Sequence, residues 1–584
     1  MKQSKRWAAL LLLCALVLGL AAGPVSAADP AACPFEDIYG VEYEEDIIDA
    51  YALGLMNGMS LYQFQPDGNM SRAMFVVTLF RAHRLLTGDQ AAYTRPRSWP
   101  FTDVKDGRWY SEAIYWALSE GITNGIDSQH FAPNKALTKE QAATFLYRYE
   151  KSHGSHLGSS AYLGGCSDAS QVSDYARRPL MWLAAIDSAQ IRGTQISPKS
   201  IPCRAELAHM LVNYYRVFTA EGDVVVRPEF DAIDLRLCIL GIDAPAPLWF
   251  DGALYLALDE QTRALYEIEA EAISKNDMQQ LELAWQGRSL TLTDSFPDAR
   301  INGKKVSLSA APVVQDGVWY LPVGAIAEAL GWNVLEDTEN EDAAQVFIDK
   351  TVNLSALPTG RKVAVLEYHG VSDDLDTANN DSLYISPLSL REEILWLLNQ
   401  GYTFITFEDL DRLSQISKPV LLTFDDGYEN NYTELFPILR DYNVKATVFV
   451  VARTLDTDNH LTTAQLQEMQ ESGLVSIQSH SYSHSNLTKL SGSEVLWECQ
   501  STQLAIARIT GHVPFVLSYP YGKMNDSVEA QARKVYQFGV CVQRSPYGYI
   551  TGNNPYRIYR HEVVRDTTLA KFKSDFKYWI ANMK

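Results

Sequence analysis

Two adjacent carboxylates follow a strand-like run in the C-terminal half of this chain. Residues 420–424 are apolar and β-favouring, and Asp425, Asp426 and Gly427 come directly after them. Neighbouring side chains of an extended strand point to opposite faces, so both carboxylates can serve one site only if the backbone turns there. Gly427 permits a turn at little steric cost. Alone, Asp-Asp-Gly is more often a solvated turn, but strand ends of this kind carry the chemistry of parallel α/β barrels.

Two histidines follow a second strand-like run at residues 475–479. His480 and His484 are four positions apart, which places both imidazoles on one side of a helix or tight turn. Two imidazoles and one carboxylate can hold a divalent metal and leave positions open for water and substrate. A His-x-x-x-His alone is more often structural. Together with the carboxylate pair it indicates a metal centre that activates water.

A third polar segment, Ser-Tyr-Pro-Tyr-Gly at residues 518–522, follows an apolar run at 513–517. In this order, the three segments resemble the motifs of polysaccharide deacetylases of the carbohydrate esterase type. Residues 365–370, with their Tyr-His pair, resemble the opening strand of the branch that acts on extracellular N-acetylglucosamine polymers. The resemblance implies a distorted (β/α) barrel, which we expect over residues 360–584.

The resemblance implies a role for each motif residue. Asp425 would be the general base for the attacking water. Asp426, His480 and His484 would bind the metal, with zinc as the expected ion. The backbone N–H of Tyr521 would help to hold the oxyanion, and its ring would line the sugar site. These roles suit amide hydrolysis, which needs an activated water and a stabilised tetrahedral oxyanion.

Further residues around the sugar follow from the same resemblance. Tyr519, Pro520 and His369 would line the substrate together with Tyr521.

The late part of the chain departs from the family pattern. The family often has an arginine that steadies the catalytic aspartate where this chain has Ser518. Residues 557–563 are the candidate for the late motif. There, Arg560 would steady Asp425 and His561 would protonate the leaving amine. The alternative is a polar edge strand.

The chain begins with the features of an export signal. Lys2, Lys5 and Arg6 precede an apolar run at residues 8–22, which is short for a membrane span, and Val-Ser-Ala at 25–27 is a cleavage pattern. We therefore expect a signal peptide over residues 1–27, a secreted mature chain, and no later transmembrane segment.

Charge and cysteine content narrow the function classes. The net charge of −21 argues against a nucleic-acid partner. Six cysteines remain after the leader, which is sparse for a disulfide-built scaffold. Cys166 with Cys203, and Cys499 with Cys541, could pair, and the sequence leaves both bridges open.

Residues 33–217 contain a threefold repeat, with units at 33–90, 99–153 and 163–217. A triplet ending in Asp recurs at 35–37, 101–103 and 166–168, and each unit closes on a helix with apolar residues at helical spacing. The units resemble S-layer homology (SLH) repeats, which form an all-α pseudo-trimer that holds polymers of Gram-positive walls. Arg72, Lys139 and Arg204 fall where that family places the basic residue facing the anionic glycan; the alternative for each is a solvated helix start.

The middle of the chain predicts a small α+β stalk domain at residues 291–350, after a spacer of unknown fold at 218–290. Asn302-Gly303 is a hairpin signal, residues 317–323 form a strand pattern, and residues 325–332 form a short helix pattern ending at Gly331. This segment resembles the N-terminal domain of copper amine oxidases, but no histidine or cysteine occurs from 239 to 350. The acidic run at 336–342 favours a solvated turn over a calcium loop.

Together, these observations predict a multidomain, exported, wall-anchored, metal-dependent polysaccharide deacetylase. Its substrate would be an N-acetylglucosamine polymer, either peptidoglycan or a secreted poly-N-acetylglucosamine, and its anchor would be wall polysaccharide of a Gram-positive-type envelope. Two alternatives stay open: an O-acetyl esterase of the xylan type, and a non-catalytic wall or adhesion protein with a decayed barrel.

Overall fold

The structure is a computed structural model that describes residues 33–154, 157–219, 225–226, 229–233, 235–337, 344–353, 363–373, 381–542 and 555–582. The expected signal peptide and residues 338–342 of the acidic run lie outside the described residues. The chain divides into two compact units. The first takes in Met1–Asp231, Phe250–Ala253 and Ala257–Pro322, and the second takes in Ala232–Trp249, Leu254–Leu256 and Val323–Lys584.

The first unit begins with three helix pairs, each made of a short and a long helix. They are α1 (Glu44–Ala52) and α2 (Arg72–Thr87), α3 (Ser111–Ser119) and α4 (Lys139–His153), and α5 (Arg177–Ala185) and α6 (Arg204–Phe218). The long helices begin where the sequence predicts them. Ser71 caps α2 by accepting from the Met74 N–H at 3.3 Å, and Thr138 forms a capping box with Gln141.

The aspartate of each recurring triplet binds a later loop of its own repeat through two hydrogen bonds. Its two carboxylate oxygens accept backbone N–H bonds of 2.7–2.9 Å from a loop about 28 positions later. The pairs are Asp37 with Phe64 and Gln65, Asp103 with Phe131 and Ala132, and Asp168 with Ile196 and Ser197. The second loop residue has a positive φ in every copy, so the third repeat keeps the geometry of the first two.

The basic residue at the start of each long helix is buried and reaches the next repeat. Arg72 donates to the Phe131 carbonyl at 2.9 Å, Lys139 to the Ile196 carbonyl at 2.9 Å, and Arg204 to the Phe64 carbonyl at 2.8 Å. The three contacts run from repeat one to two, two to three, and three to one, so they close the pseudo-trimer.

This placement contradicts the expectation that Arg72, Lys139 and Arg204 face a wall glycan. Their exposed fractions are 3%, 4% and 3%. The alternative of a solvated helix start is also wrong. Each cation instead satisfies carbonyl groups of a neighbouring loop, and the two guanidinium groups lie over the rings of Phe131 and Phe64.

The first unit continues into β structure. A five-stranded antiparallel sheet has the order β12-β11-β10-β9-β8. Asn302 and Gly303, both with positive φ, form the predicted hairpin turn between β11 and β12. The bounds of the elements of this unit are β1 (Ser160–Ala161), β2 (Val225–Val226), α7 (Glu260–Leu265), β8 (Glu269–Lys275), β9 (Met278–Trp285), β10 (Arg288–Thr293), β11 (Phe296–Ile301), β12 (Lys304–Ser307), β13 (Val313–Gln315) and β14 (Val318–Pro322).

Residues 231–257 carry β3 (Asp231–Ala232), β4 (Arg236–Ile239), β5 (Ile242–Asp243), β6 (Leu248–Phe250) and β7 (Ala253–Ala257).

Within the second unit, β15 (Asn333–Asp337) and β16 (Gln345–Asp349) join β4 and β5 in a four-stranded sheet. The preceding helix, α8 (Val323–Leu330), ends before Gly331 as predicted, because Gly331 adopts a positive φ of 71°. Asp337 is 3% exposed and accepts two bonds from Arg508, at 2.6 and 2.8 Å. The expectation of a solvated acidic run is therefore wrong at Asp337, which is buried and paired with Arg508.

The rest of the second unit is a closed barrel of seven parallel strands in the order β17-β21-β22-β23-β24-β25-β26, with β26 paired back to β17. An additional short strand, β20, pairs with the start of β21. This confirms the expected distorted (β/α) barrel. Its apolar interior includes Val365, Leu421, Phe449 and Phe538.

The strands of this region are β17 (Ala364–Tyr368), β18 (Gly370–Val371), β19 (Tyr384–Ile385), β20 (Thr403–Phe404), β21 (Pro419–Phe424), β22 (Ala446–Val450), β23 (Val475–Ser479), β24 (Val516–Ser518), β25 (Phe538–Val542) and β26 (Ile558–Glu562). The helices are α9 (Pro387–Asn399), α10 (Phe436–Tyr442), α11 (Thr463–Glu471), α12 (Gly492–Thr510), α13 (Asp526–Ala532) and α14 (Leu569–Asn582).

Two sequence questions are answered by the same structure. The six cysteines of the described residues are all free thiols, so neither Cys166–Cys203 nor Cys499–Cys541 forms a bridge. Among the described helices, none combines the length and apolar character that crossing a membrane requires.

Candidate active site

The polar motif residues converge at the carboxyl end of the barrel strands. His369 follows β17, Asp425 and Asp426 follow β21, His480 follows β23, Ser518 ends β24, and Arg560 lies on β26. Parallel strands bring these positions together because all of their carboxyl ends meet at one rim.

The backbone turns sharply at the carboxylate pair. Asp425 still donates its N–H to the Tyr368 carbonyl at 3.0 Å, as a strand residue does. Asp426 and Gly427 then adopt positive φ values of 73° and 68°. The predicted turn exists, but it begins at Asp426 itself, and it aims both carboxylates at one site. A Cβ on Gly427 would lie 2.9 Å from Val450 Cγ1, so glycine is required there for space as well.

Asp426, His480 and His484 form one compact donor set. Asp426 Oδ1 lies 3.4 Å from the Nε2 atom of each histidine. The turn that brings the two imidazoles together is not helical, because Ser481 and His484 both have positive φ. The donor atoms of the three residues lie within 4.8 Å of one another.

The donor set fits a divalent metal. His480 Nδ1 donates to the Ser518 carbonyl at 2.8 Å, which leaves the Nε2 lone pair directed at the cluster. One carboxylate and two imidazoles are ligands that zinc accepts, with further positions open.

Charges within the cluster determine the protonation of its members. Burial alone would raise the pKa of Asp426, but the hydrogen bond and charge of His480 lower it to about 2. Burial opposes the charged form of His480, but Asp425 and Asp426 outweigh it and raise its pKa. Burial and the neighbouring His480 lower the pKa of His484.

Asp425 is clamped by a buried arginine. Arg560 Nη1 donates to Oδ1 and Nη2 donates to Oδ2, each at 2.6 Å, and Ser518 Oγ donates to Oδ2 at 3.0 Å. The hypothesis that Arg560 steadies Asp425 is thus confirmed by geometry. Burial would raise the pKa of Asp425, but Arg560 and His480 hold it below the usual range. Ser518 therefore does not leave Asp425 without support; it joins the clamp.

Glu367 is a site residue that the motif comparison missed. It is 1% exposed, Oε1 lies 3.4 Å from Arg560 Nη2, and burial raises its pKa to about 8. Its Oε2 atom has no hydrogen-bond partner among the described residues. A charged residue inside the apolar strand β17 was the available signal, because such a side chain is costly to bury without a partner.

The structure does not bring His561 to the site. His561 follows Arg560 on β26 and points to the opposite face, where its ring stacks on Trp579 with centroids 4.0 Å apart. Burial lowers its pKa to about 4. The expectation that His561 protonates the leaving amine is therefore wrong.

Tyr519 is likewise turned away from the cluster of carboxylates and histidines. Its side chain is fully buried among core residues, and its hydroxyl donates to the Tyr556 carbonyl at 3.1 Å. Pro520 is also buried, so neither residue offers an open surface to a substrate. The expected contact of these two residues with the sugar is not supported.

Tyr521 and His369 do lie at the site. Tyr521 adopts a positive φ of 61°, is 59% exposed, and packs its ring against His484 with centroids 4.7 Å apart. His369 lies near Glu367, with His369 Nε2 4.0 Å from Glu367 Oε1.

Sequence comparison gives three family matches on separate segments. The polysaccharide deacetylase family matches residues 413–538, the S-layer homology domain matches 34–74 and 100–143, and the copper amine oxidase N-terminal domain matches 244–366. The three resemblances drawn from the sequence are confirmed for these segments.

Individual relatives agree with the barrel match. YxkH of Bacillus subtilis, named as a polysaccharide deacetylase, is 31% identical over 188 residues, which cover 31% of this chain and 65% of YxkH. The poly-β-1,6-N-acetyl-D-glucosamine N-deacetylase of Staphylococcus epidermidis is 27% identical over 33% of this chain and 72% of that protein. The peptidoglycan-N-acetylglucosamine deacetylase PgdA of Listeria monocytogenes is 31% identical over 28% of this chain and 37% of PgdA.

Proposed function

We propose that the chain is a metal-dependent polysaccharide N-deacetylase held at the cell wall. The single observation that carries this proposal is the convergence of Asp426, His480 and His484 on one point beside a base, Asp425, that Arg560 orients. The order of the motifs and the family match over residues 413–538 support the same reaction.

Each residue of the site has its own role in the proposed hydrolysis. A divalent metal held by Asp426, His480 and His484 would supply Lewis acidity toward the water and the acetyl carbonyl. Asp425 takes a proton from the attacking water, and Arg560 keeps that carboxylate ionised and oriented. The backbone N–H of Tyr521, in a left-handed turn beside His484, is the candidate donor to the developing oxyanion.

The proton for the leaving amine must come from a residue other than His561. After it accepts the proton of the water, Asp425 carries an acidic proton next to the metal donors. We therefore infer that one carboxyl group acts first as base and then as acid.

The substrate proposal rests on relatives. Proteins named for poly-β-1,6-N-acetyl-D-glucosamine and for peptidoglycan N-acetylglucosamine both match the barrel region. We therefore propose an N-acetylglucosamine polymer as the substrate, and zinc as the metal.

The test is acetate release from N-acetylglucosamine oligomers and from peptidoglycan, with added zinc and with chelator, alongside Asp425→Asn. We expect release that requires both metal and Asp425. Release from O-acetylated glycans alone would replace this proposal with the O-acetyl esterase. Absence of both metal binding and release would support a decayed barrel, which the intact donor set and the Arg560 clamp argue against.

The SLH matches support attachment to the cell wall. We propose that the pseudo-trimer binds a wall polysaccharide and that the protein is exported to that location. The residues that contact the polymer must be others than Arg72, Lys139 and Arg204, because these close the trimer. Pelleting of the full chain with purified Gram-positive walls tests attachment, and pelleting no greater than that of a control protein would contradict it.

A further inference from the structure

A large aromatic side chain is exposed on the helix beside the candidate metal centre. The buried stripe of α12 includes Val495, Cys499 and Thr502. Trp497 lies off this stripe and is 53% exposed. It packs edge to face on Tyr482, with ring centroids 4.9 Å apart and an interplanar angle of 65°. Single exposed aromatic side chains are common on protein surfaces, whereas an ordered aromatic pair beside a candidate site indicates a binding surface.

The pair lies at the rim that carries the candidate site. Tyr482 is midway between His480 and His484 in the loop after β23. Its carbonyl accepts from the N–H of Arg453, which lies in the loop after β22, at 2.9 Å. Because both loops follow carboxyl ends of parallel strands, Trp497 and Tyr482 face the same side of the barrel as the metal donors.

The pair is held in place before any ligand arrives. Glu498, the neighbour of Trp497, accepts from the Ser483 N–H at 2.9 Å and also from the Ser483 hydroxyl. The helix is thereby tied to the residue that directly follows Tyr482. A rigid aromatic surface loses little conformational entropy on binding.

We propose that Trp497 and Tyr482 form a subsite that binds a pyranose ring beyond the first two of the glycan whose acetamido group lies at the metal centre. One face of a pyranose presents C–H groups, which complement the electron-rich face of an indole, while the sugar hydroxyl groups remain in water. The subsite would make the enzyme prefer polymers to short sugars. This inference rests on the proposed deacetylase function and adds a determinant of substrate length.

The first experiment compares N-acetylglucosamine dimers and hexamers as substrates of the full chain. For the wild type, we expect a lower KM for the hexamer. Trp497→Ala should raise the hexamer KM about tenfold and so remove this advantage, with little change in kcat, because hot-spot aromatics dominate such contacts. Trp497→Phe should keep most of it. Tyr578→Ala is the matched control, since Tyr578 is 58% exposed on α14. An unchanged hexamer-to-dimer KM ratio in Trp497→Ala would overturn the subsite.

A binding experiment separates this inference from the proposed reaction. Calorimetry with the hexamer uses full-length Asp425→Asn with and without Trp497→Ala. Affinity that depends on Trp497, without any wild-type acetate release, would keep the subsite and overturn the N-deacetylase. If the wild type releases acetate but hexamer binding does not depend on Trp497, the subsite is overturned and the proposed reaction is kept. Absence of hexamer binding by Asp425→Asn would also overturn it.

Discussion

Arg560 binds Asp425 with both ends of its guanidinium group, through two bonds of 2.6 Å between residues 135 positions apart. Both side chains are almost fully buried, at 1% and 2% exposure. A bidentate pair fixes the orientation of the carboxylate as well as its charge. The last strand of the barrel thus supplies the cation that the third motif lacks, since Ser518 is at that position.

Replacement of this arginine tests the clamp. Arg560→Lys keeps the charge but loses the planar fork, so we expect kcat to fall by about ten- to a hundredfold with metal content unchanged. Metal analysis and steady-state acetate release measure the two effects. Arg412→Lys, a change to a largely exposed arginine that pairs with Asp409, is the control. Full activity of Arg560→Lys would show that orientation by the fork is unnecessary.

Removal of a metal donor should separate binding from catalysis. Asp426→Ala and His480→Ala should abolish metal retention, because either change leaves only two of the three donors. Asp425→Asn should retain the metal and lose release by at least a hundredfold. His460→Ala, at a partly exposed histidine outside the donor set, should retain both. Stoichiometric metal after purification of Asp426→Ala or His480→Ala would contradict the assignment.

A buried carboxyl outside the site should make stability depend on pH. Glu393 is 1% exposed and accepts from the Tyr368 hydroxyl at 3.0 Å, and burial raises its pKa to about 8. The unfolded chain releases this proton near the ordinary pKa, while the folded chain keeps it until about 8. The contribution of Glu393 is therefore most favourable at low pH and is lost as pH rises through this window, by on the order of a few kcal/mol.

Urea midpoints of the full chain between pH 5 and pH 9 measure this effect. Glu393→Gln has no proton to lose, so its midpoint should fall less with rising pH than that of the wild type. Glu392→Gln, at the exposed neighbouring position, should follow the wild type. Parallel curves for wild type and Glu393→Gln would show that Glu393 is ionised in the folded protein.

The closure of the SLH pseudo-trimer offers another test. Arg204→Ala removes bonds of 2.8 Å to the carbonyls of Phe64 and Asn57 in the first repeat. We expect a loss of about 2–4 kcal/mol in the stability of this unit, because buried carbonyls lose their partners. Calorimetric scans measure it, with the exposed Arg97→Ala as control. Wall pelleting should persist below the unfolding temperature; its loss from a folded Arg204→Ala variant would restore the glycan-contact hypothesis.

The motifs determined the class of fold and most of the site. Asp425-Asp426-Gly427 and His480…His484, each after a strand-like run, predicted two barrel strands and the donors at their ends. The strands and the clustering of these side chains could be predicted because the signals are local: strand period, turn residues and ligand spacing all lie within a few positions. Their role as metal ligands stays a prediction.

Tertiary structure decided which polar residues face the chemistry. Arg560 and His561 are neighbours in one charged segment, and strand alternation sends only Arg560 inward. The same alternation turns Ser518 toward Asp425 and Tyr519 into the core. From strand alternation alone, the sequence shows that only one member of each neighbouring pair can face the site. Which member faces inward depends on how β24 and β26 pair within the closed barrel.

The repeated basic residues show the same limit in the helical unit. Their recurrence was visible in the sequence, as were the helices that they begin. Whether Arg72, Lys139 and Arg204 face a polymer or a neighbouring repeat depends on how the three repeats close, through contacts between residues 57–140 positions apart. The sequence by itself determined the local helices and strands and the polar residues that they carry. Long-range packing decided which of these residues are buried and which charges pair, because no local pattern encodes which distant carbonyl or carboxylate a side chain will meet.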